Sequence, residues 1–192
     1  MVTITSKSIG DPDRFLTFAD LSSRFDTLPG TPQSEGCVVL IVRRREGGRR
    51  ETPERLRLTA EGGVAGDAWS ERQPDPAGQI AVMQANVAML IANGQPLTLF
   101  GDNLFLDLGL SVENLPHGSR VRVGAAMLEI TPKAHNGCHK FQARFGSDAL
   151  RFVSHKELRH LNLRGIYMRV LEPGDVGVGD WVHVISRAGP HP

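Results

Sequence analysis

Short apolar segments, separated by turns that contain glycine or proline, are the feature of this sequence that most constrains its fold. Residues 37–42 are rich in β-branched side chains, and residues 120–131 alternate in the way of a β-hairpin with Gly124 in its turn. About seven or eight such strands, with few long helical stretches, predict a mainly β fold with a few helices (α+β), namely a β-barrel decorated by short helices. We place this domain at residues 36–186.

Two regions have the three- and four-residue spacing of apolar residues that is typical of helices. One stripe predicts a helix, or two short helices, over residues 11–28, and residues 1–35 are therefore predicted to be an N-terminal helical extension and linker. A central helix is predicted to end at Gly94 and Pro96. Its apolar face is predicted to comprise Val82, Met83, Val87, Leu90 and Ile91.

Three further segments have simpler predictions. Residues 155–163 are predicted to form a short helix or an irregular turn. Pro173-Gly174-Asp175 is predicted to be the turn before the last strand. Residues 187–192 are predicted to form a flexible tail.

Composition and charge argue against several classes of function. The formal net charge is +1, so the overall charge favours neither nucleic acid nor an anionic membrane. Residues 43–45 and 49–50 are arginines, but they flank Gly47-Gly48 and are predicted to be solvated strand ends. No apolar run approaches the ~20 residues of a membrane helix. With two distant cysteines and a charged N-terminal region, we expect a cytoplasmic protein with reduced thiols and no nucleic-acid or membrane partner.

Cys138 is the strongest candidate for chemistry. It follows the predicted hairpin in a segment that Pro132 opens, where a loop held by a sheet can present a reactive group. Positive surroundings favour the thiolate, which attacks sulfur donors and binds soft metals. The basic residues near it in the sequence are Lys133, His135, His139, Lys140 and Arg144.

Two other interpretations of this segment stay open. A lone cysteine is most often a small buried hydrophobe. Alternatively, His135, Cys138 and His139 could hold zinc with His155 or His160 as a further ligand. Structural zinc sites usually supply paired ligand motifs, and this chain offers no second cysteine nearby.

Several separated segments together resemble the MOSC domain, which is named after the C-terminal domain of molybdenum cofactor sulfurase. Each motif is short and could recur by chance, so the resemblance rests on their order and spacing over roughly residues 36–186. The segments are Glu61-Gly-Gly-Val-Ala-Gly-Asp67, the strand and helix from Gln79 to Leu90, Gly101-Asp-Asn-Leu104, the hairpin from Gly118 to Thr131, Cys138 soon after it, and residues 164–180.

The resemblance implies a β-barrel fold and a link to the molybdenum cofactor (molybdopterin) or to its sulfur. In the family the cysteine is thought to ligate molybdenum or to carry sulfur as a persulfide, and Cys138 occupies the matching place. Arg144 and Arg164 are predicted to hold the anionic parts of the cofactor, because guanidinium suits phosphate. The alternative for each is an ordinary arginine on the surface or at a strand end. The remaining predicted cofactor-binding residues are Lys140, Asn103, Asp67 and His135.

Three functions are compatible with this resemblance. As an oxidoreductase, the protein would reduce a small N-hydroxylated compound at molybdenum ligated by Cys138, with a redox partner protein. As a sulfur carrier, it would accept sulfane sulfur on Cys138 from a cysteine desulfurase. The third possibility is a binding or regulatory module without chemistry. No lysine lies in a recognisable pyridoxal phosphate site, so we predict that this chain does not bind that cofactor.

Overall fold

Thirteen β-strands and four α-helices make up the regular structure of residues 2–3 (backbone only), 8–71 and 75–189, the parts of the chain that this computed structural model describes. The strands are β1 (Val2–Thr3), β2 (Glu35–Ile41), β3 (Arg43–Arg44), β4 (Arg49–Glu51), β5 (Arg55–Thr59), β6 (Gly63–Val64), β7 (Ile80–Gln84), β8 (Leu104–Leu106), β9 (Arg120–Val123), β10 (Ala126–Ile130), β11 (Ile166–Glu172), β12 (Gly174–Gly177) and β13 (Trp181–Ser186). The α-helices are α1 (Phe18–Asp26), α2 (Ala85–Ala92), α3 (His139–Phe145) and α4 (Ser147–Val153).

Seven of these strands close into a barrel in the order β10-β11-β7-β8-β2-β13-β9. Neighbouring strands are antiparallel except for β7 and β8, which are parallel. Two three-stranded sheets, β1-β4-β3 and β12-β5-β6, accompany the barrel. The prediction of a mainly β fold with a barrel and a few short helices is confirmed.

Two hydrophobic cores lie on the two sides of the barrel wall, as expected when helices cover a sheet. Alternate residues of β7 enter different cores, because successive side chains of a strand point to opposite faces. Ile80 and Val82 pack in the barrel core, whereas Met83 packs in the second core with Phe141 and Phe145 of α3. The wall at β7 is therefore apolar on both faces.

This double burial explains one wrong prediction. Val82 and Met83 were predicted to lie on the face of the central helix, but they belong to β7, and the helix begins at Ala85. A strand that is buried on both faces is a continuous apolar run, and periodicity alone cannot separate it from a buried helix. The later part of the predicted helix is confirmed, with Val87 and Ile91 buried in α2.

The N-terminal region contains the two short helices that its apolar stripe allowed. A 3₁₀ helix at Pro12–Arg14 precedes α1, and the Thr17 side chain caps α1 by accepting a hydrogen bond from Asp20 N (3.1 Å). Leu21 is fully buried, and Phe25 packs edge-on against Phe152 of α4.

The C-terminal region differs from the prediction at one point and confirms it at another. Gly174-Asp175 were predicted to lie in a turn, but they begin β12, which pairs with β5 outside the barrel. A side chain at Gly174 would clash with the backbone of Ala125, so this strand crosses close to the β9–β10 turn. The 3₁₀ helix Lys156–Leu161 confirms the short helix expected over residues 155–163.

Part of the segment predicted as a tail makes contacts with the domain. Arg187 donates hydrogen bonds to Asn114 Oδ1 (2.8 Å) and to Gln33 O (2.8 Å), and Ala188 N donates to Ser119 Oγ (3.2 Å). Residues 190–192 of the predicted tail lie outside the described residues. Within the described residues, no helix is long and apolar enough to cross a membrane.

Candidate functional site

Cys138 lies at the end of an exposed loop. The loop leaves β10 and ends where α3 begins, and the Cys138 carbonyl accepts a helical hydrogen bond from Gln142 N (3.0 Å). Gly137 allows the loop to lie against α4, because a Cβ at this position would clash with Leu150. Cys138 itself is a free and exposed thiol, so its interpretation as a buried hydrophobe is wrong.

Arg144 is on the buried face of the helix that follows Cys138. It lies between Phe141 and Phe145 on α3 and is only 5% exposed, and its Nη1 donates a hydrogen bond to Leu99 O (2.8 Å). Burial lowers the pKa of Arg144, the neighbouring Cys138 opposes this shift, and the charge of Arg164 adds to it. Arg144 and Arg164 both lie beside the segment Gly101-Asp102, and Cys138 begins the helix that carries Arg144.

Arg164 forms a buried ion pair with Asp102. Its Nη1 lies 2.8 Å from Asp102 Oδ2, and the Asp102 side chain is completely buried. The Arg164 guanidinium also lies over the Phe141 ring, 5.2 Å from its centroid, and contacts the sulfur of Met83. The pair is thus on the helical side of the barrel wall, where β7 and α3 face each other.

His135 lies on the other oxygen of the same carboxylate. Its Nδ1 is 3.5 Å from Asp102 Oδ1, and its ring packs on the Tyr167 ring with 4.3 Å between centroids. Burial lowers the pKa of His135 from 6.5 to about 4, which Asp102 opposes and Arg164 reinforces. His135 is therefore neutral at pH 7 and well below it, and its desolvated ring adds no positive charge to the site.

Tyr167 completes this side of the site. Burial, followed by the charge of Asp102, raises the pKa of the Tyr167 phenol. Lys133 lies over its ring, 5.5 Å from the centroid, and forms an exposed ion pair of 2.6 Å with Asp75. Lys133, which is close to Cys138 in the sequence, therefore contacts the Tyr167 ring in the fold.

Asp67 and Asn103 form a hydrogen-bonded network inside the fold. The Asp67 carboxylate accepts hydrogen bonds from the Arg44 guanidinium (2.8 Å), from Arg44 N (2.7 Å) and from Trp69 N (2.9 Å). Asn103 Nδ2 donates to Asp67 Oδ2 (3.1 Å), and its Oδ1 accepts from Ala81 N (3.1 Å). Both side chains are buried, and these contacts hold β3, β7 and the segment before β8 together. Their role as cofactor ligands stays a prediction.

The other candidate residues lie further out. Lys140 is exposed on the first turn of α3. Of the further ligands of the zinc alternative, His155 packs on Phe18 with 5.4 Å between ring centroids. Among the residues that the structure describes, no group of three or more His, Cys, Asp or Glu side chains could hold a metal ion.

Sequence reasoning missed three residues that build the site: Asp102, Arg44 and Tyr167. Asp102 stands beside Asn103 in the Gly-Asp-Asn motif, but its partner Arg164 is 62 positions away. Arg44 was interpreted as a solvated strand end, yet it binds Asp67 and its Nη1 lies 3.4 Å from Gly101 O. Gly101 has φ +83°, and a Cβ there would lie 4.0 Å from Arg144 Nη1. The motif identified the right segment without indicating which of its side chains is paired.

We call Cys138, Arg144, Arg164, Asp102 and His135 the basic site. The buried polar atoms that make no hydrogen bond within the described part of the chain include Arg164 Nε, Asp102 Oδ1 and His135 Nδ1 of this site. Buried polar groups normally have partners, so these are the atoms whose hydrogen bonds a polar ligand would complete. Two guanidinium groups suit an anion, and the remaining nitrogen and oxygen atoms suit a ring that carries donors and acceptors. The residues therefore fit a phosphorylated pterin such as the molybdenum cofactor.

The chain belongs to the MOSC domain family. The sequence pattern of this family matches residues 67–183, which is more than half of the 192 residues. The match covers the segment from Asp67 to β13 and thus all five residues of the basic site. It also supports a general relation of this domain to the molybdenum cofactor.

Three solved structures share the fold. A protein described only as hypothetical is similar over 80% of this chain and 70% of its own, with 21% identity and a TM-score of 0.60. The YuaD protein of Bacillus subtilis is similar over 79% of this chain and 97% of its own, with 19% identity and a TM-score of 0.57. The YiiM protein of Escherichia coli is similar over 80% and 72%, with 20% identity and a TM-score of 0.53. At these identities the likeness concerns the fold alone. A comparison with curated proteins gives no match.

Proposed function

We propose that this protein binds the molybdenum cofactor at the basic site, with Cys138 as the thiolate ligand of molybdenum. The observation that carries the proposal is the exposed Cys138 at the start of α3, the helix that carries Arg144 and whose Phe141 ring lies under the Arg164 guanidinium. A thiolate suits a soft metal, and guanidinium groups suit the phosphate of the cofactor. The membership of the chain in the MOSC family supports the same ligand.

The residues of the site have distinct roles in this proposal. Arg144 and Arg164 hold the anionic parts of the cofactor, and Asp102 fixes Arg164 in place. Neutral His135 and the Tyr167 phenol provide polar contacts that carry no charge at pH 7. When bound, the cofactor would supply two-electron redox chemistry for a small N-hydroxylated compound, with electrons from a redox partner protein.

A second candidate function is that of a sulfur carrier, which the exposure of Cys138 favours. In this role the Cys138 thiolate attacks the sulfane sulfur of a persulfide on a cysteine desulfurase. A new S–S bond forms on Cys138 Sγ, the S–S bond of the donor breaks, and the donor leaves as a thiolate. An exposed thiol on a loop is accessible to such a partner protein.

Metal and pterin contents test the first proposal. Wild-type protein and the variants Cys138→Ser and Cys37→Ser would be purified without oxygen from a host that makes the cofactor. We expect stoichiometric molybdenum and pterin in the wild type and in Cys37→Ser, and loss of molybdenum in Cys138→Ser. Cys37 is a matched control because it is a free cysteine on β2, outside the basic site. Molybdenum and pterin contents that are unchanged in Cys138→Ser would contradict the assignment of the ligand.

Intact-mass measurement tests the carrier function. After incubation with desulfurase and cysteine, Cys37→Ser should gain the mass of one sulfur atom, and Cys138→Ser should gain none. Equal gains in both variants would contradict a role for Cys138. If neither metal nor sulfur is bound, and if Cys138→Ser changes no ligand binding, the protein is a binding or regulatory module.

A further inference from the structure

His135 and Asp102 are two buried polar groups whose facing atoms are not hydrogen-bonded to any described residue. The side chains of His135 and Asp102 are 6% and 0% exposed, and Nδ1 and Oδ1 face each other at 3.5 Å. An ordinary N–H···O hydrogen bond in a protein is about 2.7–3.2 Å long, so the separation of these two atoms is longer than a hydrogen bond. In unliganded sites such bonds are often long and shorten when a ligand binds.

The chemistry of the two atoms determines the position of the imidazole proton. Asp102 already accepts a hydrogen bond from Arg164 through Oδ2, and its Oδ1 is left to face His135. A carboxylate oxygen is an acceptor only, so an unprotonated Nδ1 would place two buried lone pairs opposite each other. With the proton on Nδ1, the pair can instead close to a hydrogen bond.

The second ring nitrogen of His135 has a different environment. The buried atoms without a hydrogen bond include Nδ1 but not Nε2, and no residue in the described ranges is bonded to Nε2. Of the two ring nitrogens, Nε2 is therefore the one that Asp102 does not face. Because burial keeps the ring neutral with a pKa of about 4, only one of the two nitrogens carries a proton at pH 7.

We propose that Asp102 is a positioning residue that holds His135 as the Nδ1-protonated tautomer, so that Nε2 presents a lone pair to the ligand of the basic site. Arg144 and Arg164 attract an anion, and the Nε2 lone pair accepts a hydrogen bond from it. The site thus selects anions that also carry a hydrogen-bond donor over anions that are acceptors only. This inference rests on the proposed ligand-binding role of the basic site, but not on the presence of molybdenum.

Nitrogen NMR of the ¹⁵N-labelled apoprotein tests the tautomer directly. The His135→Gln variant assigns the signals of His135, because its spectrum lacks that imidazole. We expect a protonated Nδ1 and an unprotonated Nε2 at neutral pH, and a shift of the population towards protonated Nε2 in Asp102→Asn. Asp75→Asn is the matched control, since it removes an exposed carboxylate that pairs with Lys133 and leaves Asp102 intact. A protonated Nε2 in the wild type would overturn the proposal, even if Asp102→Asn does not fold.

Two inorganic anions test the selectivity. Hydrogen phosphate carries an O–H donor at neutral pH, whereas sulfate does not. We expect the wild type to bind phosphate about tenfold more tightly than sulfate, as one additional hydrogen bond to a charged group provides. Phosphate should shift the Nε2 signal of His135, and Asp102→Asn should lose the preference. Equal affinities, or binding of neither anion at millimolar concentrations, would overturn the selectivity. If the protein binds no molybdenum but shows both the Nδ1-protonated tautomer and the preference for phosphate, only the proposed cofactor is contradicted.

Discussion

Asp102 accepts a hydrogen bond of 2.8 Å from Arg164 in a place where neither residue is more than 9% exposed. A buried charge without its partner is strongly unfavourable. We therefore expect Asp102→Ala to lower the free energy of unfolding by about 3–5 kcal/mol. Urea denaturation at pH 7 measures this change.

The control for this prediction is an exposed ion pair. Glu172 lies 3.4 Å from Arg122, and its side chain is 63% exposed. Exposed pairs contribute about 0–1 kcal/mol, so Glu172→Ala should change the stability by no more than that. If the two variants lose equal stability, the Asp102–Arg164 pair does not contribute to the fold as we describe.

His135 should make the protein less stable at acidic pH. Its pKa is about 4 in the folded state and 6.5 in the absence of burial, so the unfolded chain takes up this proton first as the pH falls. Stability is fully present above pH 6.5 and decreases as the pH falls towards 4, by up to about 3 kcal/mol. The His135→Gln variant lacks this contribution, so its unfolding free energy should depend less on pH over the same range. Parallel pH profiles of the two proteins would contradict the burial of a neutral histidine.

Tyr167 offers a spectroscopic test of the same site, because it is the single tyrosine of the sequence. Burial and then the charge of Asp102 raise the pKa of the phenol above its ordinary value of 10.0. The ultraviolet absorbance of tyrosinate should therefore appear at higher pH than in a denatured sample. In Asp102→Asn the transition should move to lower pH, since one of the two main causes is removed. An unchanged transition in this variant would mean that the Asp102 charge does not reach Tyr167.

Gly165 should be far less tolerant of substitution than another glycine with positive φ. Gly165 has φ +98°, and a Cβ there would clash with Val82 O and lie 3.2 Å from His135 Nδ1. Gly179 has φ +83° with nothing within 4 Å of its Cβ position. Thermal and urea unfolding should show a loss of about 1–2 kcal/mol for Gly179→Ala, from backbone strain alone. The loss for Gly165→Ala should be on the order of 4 kcal/mol or more, and similar losses would contradict this difference.

The sequence predicted the elements whose patterns are local. The β9–β10 hairpin, the end of α2 and the loop that carries Cys138 follow from alternation and from glycine and proline positions. Val82 and Met83 were assigned to the wrong element because a strand between two cores has no polar face. The pairing of Asp102 with Arg164 could not be predicted from one sequence, since it depends on how the chain returns to β7 after 62 residues.

The chemistry of the site was also predictable only in part, because local patterns are visible in the sequence and burial is not. The basic residues around Cys138 are visible in the sequence, and the structure brings Arg144 and Arg164 together. Whether a basic residue carries its charge depends on burial, however, and burial is a property of the folded chain. His135 shows this most clearly, because desolvation lowers its pKa to about 4 and keeps the ring neutral well below pH 7.

Asp102 and Arg164 precede the two strands that lie on either side of β7. Leu104 of β8 and Ile166 of β11 both pair with Val82, so the ion pair joins segments that become neighbours only after β7 is inserted between them. Any partly unfolded state in which either strand is unpaired therefore lacks the basic site. A ligand of this site would bind only the closed barrel, and each tenfold excess over its dissociation constant would raise the global unfolding free energy by about 1.4 kcal/mol. Amide hydrogen exchange in β7, β8 and β11 would then slow together on ligand binding, including at positions that the ligand does not touch.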